Sequence, residues 1–458
     1  MAYTIPSDAH VTGDAGHVAD HNNIADMLAL LGDGAGGVYN VKNTAYGGAK
    51  GDGSTDDTGA INAAITACIN GGGGTVLFPR GTYKISSALT VNTATGITLQ
   101  GCGPQASIIK QTSTSANGIT ISSSSGTVTN PQIFGLQVLG PGSGSGIGVS
   151  VSAAAGASPV ESLSMRDCLI LEFGGAGFQG ETLITSILDN VTSQQNGGSG
   201  FYLFAGGAGD GTSTTLTGCY ALLNTARGFY ISGQVYSALV GCAADSNYLG
   251  YEILNGTTIS LVGCGCESTV APGGSNSLDG SSFKINGTNS FSLMSCRSLI
   301  NPAKAFYFTG GCYSGVVMAC EEISPGGGAT ASFQTDSGTT QTFFQCNGST
   351  ARSSSGHDIW MSYNGDNNYD NTTAGAGIQI KEGSNCKQGT ATLNGTTAVV
   401  VSNTSVTSSS RIFLTIQTPN GTPASPYVSA RTAGTSFSIK STGASDTSTV
   451  AYFITEPG

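Results

Sequence analysis

The sequence predicts an all-β chain whose centre is a parallel β-helix, and three observations carry that expectation. First, a cysteine-centred phrase recurs: Asp167-Cys168-Leu169, Asp189-Asn190-Val191, Gly218-Cys219-Tyr220, Gly241-Cys242-Ala243, Gly263-Cys264-Gly265, Ser295-Cys296-Arg297, Ala319-Cys320-Glu321 and Gln345-Cys346-Asn347. The steps between middle residues are 22, 29, 23, 22, 32, 24 and 26, the period of a solenoid with occasional insertions. Second, an aromatic recurs in phase, at Phe178, Phe201, Phe229, Tyr251, Phe283, Phe306 and Phe333. Third, stretches such as Ser290-Phe-Ser-Leu-Met-Ser-Cys296 alternate with strand rather than helix periodicity. A unit this short cannot bury its apolar side alone, so successive coils must stack. Like residues then lie over one another at about 4.8 Å, and eight coils make a rod of roughly 40 Å.

The stack gives each row a role. Cysteine packs as a small hydrophobe, and the phenylalanines form an inward ladder. Asn224, Asn247 and Asn301 each follow a cysteine by five residues. They suggest a partial asparagine ladder at a turn, where Asn tolerates the left-handed region.

Around the coils the chain divides into further segments. Residues 1–36 form a leader with one short helix, whose Ile24, Met27, Leu28 and Leu31 share a face. Residues 37–110 open the β domain, which runs to 352, and 353–388 reads as an irregular polar connection. From 389 to 458 six strands separated by turn residues predict a compact β-sandwich: Ala391-Thr-Leu, Ala398–Val401, Arg411–Ile416, Tyr427 onward, Ser436–Lys440 and Thr449–Ile454.

Composition narrows the function. Charged residues are 9% of 458, and the net charge is −11. With no Lys/Arg cluster, nucleic acid is excluded as a partner. No apolar run approaches a membrane span, so no membrane insertion is expected. The opening Met-Ala-Tyr-Thr-Ile-Pro lacks a basic region followed by an apolar run, so no signal peptide is expected. The twelve cysteines follow the repeat rather than a secreted-domain spacing, which favours buried thiols over disulfides. Cys264-Gly-Cys266 lacks zinc-ligand spacing, and only four His are present. No metal or cofactor is expected.

One long motif carries a family likeness. Asn40-Val-Lys-Asn-Thr-Ala-Tyr-Gly47-Gly-Ala-Lys50-Gly51-Asp52-Gly53-Ser-Thr55-Asp56-Asp57-Thr58-Gly-Ala60-Ile61 precedes Gly73-Gly74-Thr-Val-Leu-Phe78-Pro79-Arg-Gly81-Thr-Tyr83-Lys-Ile85 and Thr98-Leu-Gln-Gly101-Cys-Gly103. This resembles the opening of pectate-lyase-like right-handed β-helix proteins, a group that includes phage tailspikes and some glycosidases. The resemblance implies a helix over Asp57–Ile69 that covers the open end of the rod with Ala60, Ile61, Ala64 and Ile65. It makes the Gly-Asp-Gly and Asp-Asp residues turn and cap residues. The leader residues Gly13, His17, Asp20, His21, Asn22 and Ile24 resemble N-terminal segments of tail fibres. Gly389–Gly395, Ser410–Ile412 and Phe437–Ile439 resemble a C-terminal sandwich found on such fibres. Together these imply a homotrimeric phage tail fibre or tailspike in the virion tail, made in the host bacterial cytoplasm. Residues 1–36 would join it to other tail or baseplate proteins.

Two sets of residues could contact a glycan. Asp245 and Glu267 each follow a coil's cysteine by three residues, so they fall on adjacent strands about 5 Å apart at the backbone. Carboxylates that close suit acid/base work; the plainer reading is solvated turn residues. Glu321 and Glu322 face opposite ways and make poor partners. Arg166, Arg227 and Arg297 look scattered. The second set follows the ladder aromatics and points outward: Tyr202, Tyr230, Glu252, Lys284 and Tyr307, with Trp360 as a lone platform in the irregular segment. Tyrosine suits a sugar's face and hydroxyls, but strand propensity or a subunit contact accounts for the same row. Sparse carboxylates and the tyrosine row favour attachment to a bacterial surface polysaccharide. A depolymerase, glycosidase or lyase, on the same scaffold is the alternative, and a purely structural tail-tip rod is the third reading.

Overall fold

The computed structural model describes residues 37–361 and 382–457, apart from short stretches at 93–95, 124–127, 154–158, 207–208, 210, 271–278, 301–302, 324–330, 337, 345, 347–352 and 355–356. The leader helix expected within 1–36 lies outside the described residues. The chain divides into two compact units, 1–374 and 375–458.

The first unit is a parallel β-helix. Its strands form two long parallel sheets of 26 and 11 strands. One coil reads Tyr220–Leu222, Arg227–Ser232, Gln234–Val235 and Ala238–Val240, and each strand pairs in parallel with its equivalent in the next coil. The aromatic row is in register from Phe178 to Phe333. From Phe201 to Phe333 the rings stack with centroids 4.7–5.0 Å apart. Offset stacking of this kind adds about 0.5–1.5 kcal/mol per pair to burial. Tyr251 is the one phenol in the stack, and its hydroxyl donates across the core to the carbonyls of Cys242 (2.8 Å) and Gly265 (2.9 Å).

The cysteines are free and, in the repeat, buried. Each thiol donates to a carbonyl of the preceding coil: Cys219 to Leu188, Cys242 to Leu216, Cys264 to Leu239, Cys296 to Leu261, Cys320 to Leu293, at 3.3–3.5 Å. The residue before each cysteine sits in the left-handed region: Asp167 at φ 51°, Gly218 at 58°, Gly241 at 60°, Gly263 at 62°, Ser295 at 53° and Ala319 at 51°. That requirement explains why glycine or a short polar residue dominates the position. It also corrects the row by one residue. Asn190, at φ 52°, is equivalent to Asp167 and donates to its carboxylate at 2.6 Å, while Val191 pairs with Cys168.

The asparagine ladder comprises Asn196, Asn224 and Asn247: the first two side-chain amides each donate at 2.9 Å to the next Asn oxygen, and that of Asn247 donates to the Ala221 carbonyl at 2.9 Å. Asn196 was not anticipated, and Asn301 lies outside the described residues.

At the N-terminal end a helix, α1 (Thr58–Asn70), covers the core with Ile61, Ala64, Ile65 and Cys68. Asp56 accepts from the Thr58 amide at 3.0 Å, at the start of α1. Asp57 is buried and accepts from the amides of Lys50 (2.6 Å) and Gly51 (2.9 Å), fixing the loop beneath. At the far end, pairing runs past the expected limit at 352, because His357–Met361 pairs with Thr340–Phe344.

The second unit holds two three-stranded antiparallel sheets. Gln388–Thr392, Thr449–Thr455 and Arg411–Thr418 form one; Val399–Ser402, Ser436–Ser441 and Pro426–Thr432 form the other. All six expected strands are present. Leu393, Val406, Phe437, Ile439, Val450, Tyr452 and Ile454 fill the space between the sheets.

Candidate functional site

The strand after the cysteine turn builds a cleft by side-chain size alone. Reading the residue after each cysteine gives Tyr220, Ala243, Gly265, Arg297 and Glu321, in register on adjacent strands. Ala243 and Gly265 leave a depression walled by Tyr220 on one side and Arg297 on the other. Two residues further along the same strands stand Leu222, Asp245, Glu267 and Leu299. The cleft has a volume of about 310 Å³, and Asp245, Glu267, Tyr220, Arg297 and Leu299 line it.

The two carboxylates are therefore direct register partners. They differ in support. Asp245 accepts from the Tyr220 hydroxyl at 3.2 Å and from the Ser246 hydroxyl at 2.8 Å. Glu267 is exposed, and its carboxylate makes no hydrogen bond or ion pair among the described residues. Ser246 and Ser268, which follow them, are both left-handed at φ 53° and 52°, so each strand turns away just past its carboxylate. Burial raises the Tyr220 phenol above its usual range, and the charge of Asp245 raises it further. Tyr220 thus stays protonated and remains a donor. Arg297 lies 3.8 Å from Glu321, with more than half of its side chain exposed. This corrects the view of Arg297 as scattered, for it shares a cleft with both carboxylates. Sequence reasoning missed Tyr220 and Arg297, although the third letter of each repeated triplet held the signal.

The outward tyrosine row is in register on the other sheet: Gln179, Tyr202, Tyr230, Glu252, Lys284, Tyr307, Gln334. Its members are committed to one another. Tyr202 and Tyr230 stack at 4.8 Å, Tyr202 also stacks on Phe204 at 4.7 Å, and Arg227 covers Tyr230 at 4.1 Å. Glu252 and Lys284 are not presented to solvent, being 4% and 9% exposed. Glu252 pairs with Arg227 and lies 3.5 Å from Lys284, which reaches Asp279 at 3.5 Å. Lys304 sits 3.5 Å above the Tyr307 ring, and the Tyr307 hydroxyl donates to Asp336 at 2.7 Å. Trp360 does not join this row. It pairs with Phe343, in the register column of Leu293 and Val317.

Residues 39–141 match the family described as rhamnogalacturonase A/epimerase, pectate lyase-like. That match covers the N-terminal end of the rod, whose strands are parallel throughout its described part. A solved structure of similar fold is the A-module of mannuronan C-5 epimerase AlgE4 from Azotobacter vinelandii, with TM-score 0.51, 17% identity, 71% of this chain and 98% of that chain covered. A second is DFA-IIIase from Arthrobacter chlorophenolicus A6, with TM-score 0.51, 12% identity, and 68% and 94% covered. Alginate lyase 7 of Azotobacter vinelandii is 60% identical over 48 residues, which is 10% of this chain and 5% of that protein's length. Beyond the rod, residues 385–455 match the family described as K1 capsule-specific polysaccharide lyase, C-terminal domain.

Proposed function

We propose that this chain is a phage tail fibre or tailspike that engages a bacterial surface polysaccharide at the cleft between Tyr220 and Arg297. The observation that carries the reading is the register pair Asp245–Glu267 set beside an arginine and a donor phenol. Carboxylates and a guanidinium hold sugar hydroxyls and charged substituents in fixed directions. Two family matches, at 39–141 and 385–455, bear descriptions of polysaccharide-directed proteins and agree with it. A homotrimer fits an apolar column on the rod, the exposed Val240 and Val262 in register with the half-buried Met294 and Met318; residues 1–36 are the proposed attachment to the tail.

Cleavage is the second reading, favoured by the same pair. Backbones paired in register lie about 4.8 Å apart, within reach of the roughly 5–5.5 Å carboxyl spacing that retaining glycosidases use. In this reading Glu267, exposed at the rim, and Asp245, held by two hydroxyls, share the two carboxyl roles.

The test is incubation of the full chain with host surface polysaccharide, reading retention and chain length together. Retention without shortening, lost in Asp245→Asn and Arg297→Ala, supports attachment. Oligosaccharide release abolished by Glu267→Gln establishes cleavage instead. Retention unchanged in all three variants would remove the cleft from the function.

A further inference from the structure

We infer that the C-terminal sandwich carries a second saccharide site, at the mouth between its two sheets, built around the hydroxyl of Tyr452. For its ligand class the inference rests on the polysaccharide reading above.

Tyr452 points inward from Thr449–Thr455 and packs edge-on against Phe437 of the opposite sheet, with centroids 5.0 Å apart at 75°. The residue is 95% buried by this packing, since only 5% of it is exposed. Buried phenols ordinarily find a partner, and the rod obeys that rule. Tyr251 reaches two carbonyls, and Tyr83 donates to Pro79 at 2.6 Å. Among the described residues the Tyr452 hydroxyl makes no hydrogen bond, and it is the end of the side chain that stays open to solvent.

Its hydroxyl end faces a pocket instead. The register partner of Tyr452 is Gly389. A Cβ at Gly389 would lie 2.5 Å from the Tyr452 hydroxyl, so no larger residue fits beside it. Gly389 and Tyr452 both line a pocket of about 410 Å³ with Glu382, Ser384, Thr390 and Ser402. That volume is in the range of small-molecule sites, roughly 300–1,000 Å³. A glycine thus leaves room beside an unbonded hydroxyl that opens into the pocket.

The lining defines the ligand. Three aliphatic hydroxyls and a phenol both donate and accept, which matches the vicinal hydroxyls of a sugar ring. Glu382, which accepts from Gln388 at 3.2 Å, is an acceptor only and adds negative charge. Among the described residues no lysine or arginine lines the pocket. The chemistry selects a neutral or N-acetylated hexose and disfavours a uronate, whereas the rod cleft contains Arg297 and admits an anionic unit.

The experiment uses the full chain with single sugars as probes: glucose, galactose, mannose, rhamnose, N-acetylglucosamine and glucuronate, read by saturation-transfer NMR and titration calorimetry. The expected result is binding of at least one neutral or N-acetylated sugar. Tyr452→Phe should weaken it about tenfold, the loss of one hydrogen bond, and Thr390→Val should weaken it without touching the core. A melting curve confirms that each variant folds. A chain with both Asp245→Asn and Glu267→Gln should bind the same sugar as the parent, which separates this site from the rod. Failure of the parent to bind any neutral or N-acetylated sugar overturns the inference, as does unchanged binding in both Tyr452→Phe and Thr390→Val. Loss of binding only in the double rod variant overturns it too, while leaving the rod reading intact.

Discussion

Replacing Cys242 tests what the thiol row contributes. The side chain is 1% exposed, lies in the column of Cys219 and Cys264, and donates to the Leu216 carbonyl at 3.3 Å. In Cys242→Ala the lost sulfur forfeits about 1 kcal/mol of apolar transfer. A void of one atom adds about 0.5 kcal/mol at roughly 24 cal/mol per Å³. The weak thiol bond adds a similar amount, for a total near 2 kcal/mol. Cys242→Val restores the volume and loses only the bond, so it should cost under about 1 kcal/mol. The chain already places Val191 at the equivalent position of another coil. Solenoids open locally, so hydrogen exchange at the coil is the proper assay. The reporters are the amides of Ala243, which donates to Cys219, and Gly241, which donates to Val262. Cys242→Ala should exchange about 30-fold faster and Cys242→Val less than about fivefold. Equal acceleration by the two substitutions would mean that the bond outweighs the volume, and the reasoning would fail.

Three more outcomes are expected. Tyr251→Phe keeps the ring stack but removes the hydroxyl that donates to the carbonyls of Cys242 and Gly265, the former keeping its bond from the Gly265 amide, and should cost about 1 kcal/mol in denaturant unfolding. Asp57→Ala frees two amides under α1 and should cost about 3 kcal/mol, seen as early proteolysis at the N-terminal end of the rod, with Asp57→Asn intermediate. In the sandwich, Lys387, Ser410 and Thr407 lower Glu456 from 4.5 to about 2. Because the folded state holds the proton more weakly than the unfolded chain, this stabilisation is present above about pH 4.5 and is lost as pH falls toward 2. Exchange at Thr449–Thr455 should therefore rise across that window, and Glu456→Gln should flatten the dependence.

Much of the rod was legible because stacking converts sequence period directly into register. The aromatic row, the thiols and the tyrosine row all fell where spacing placed them, as did the six sandwich strands. The Asn190 offset was not legible, since a left-handed residue shifts the phase by one without altering the period. Nor was the sealing of Glu252 and Lys284, because Arg227 and Asp279 reach them from outside the row. Asp245 and Glu267 were found together, but the walls Tyr220 and Arg297 were not. A depression depends on which neighbours are small, and Ala243 and Gly265 signal nothing individually. Trp360 was misplaced because the coil around it carries neither the cysteine nor the ladder aromatic.

Since the backbone of one coil pairs with the next in the same parallel register, one backbone seam resembles another. Excising residues 220–242 would join Cys219 to Ala243 and set the flanking coils face to face. The protein would be shorter by one strand spacing, about 4.8 Å, with no new kind of joint. Reach can thus be adjusted in uniform increments by gaining or dropping a winding, leaving the terminal modules untouched.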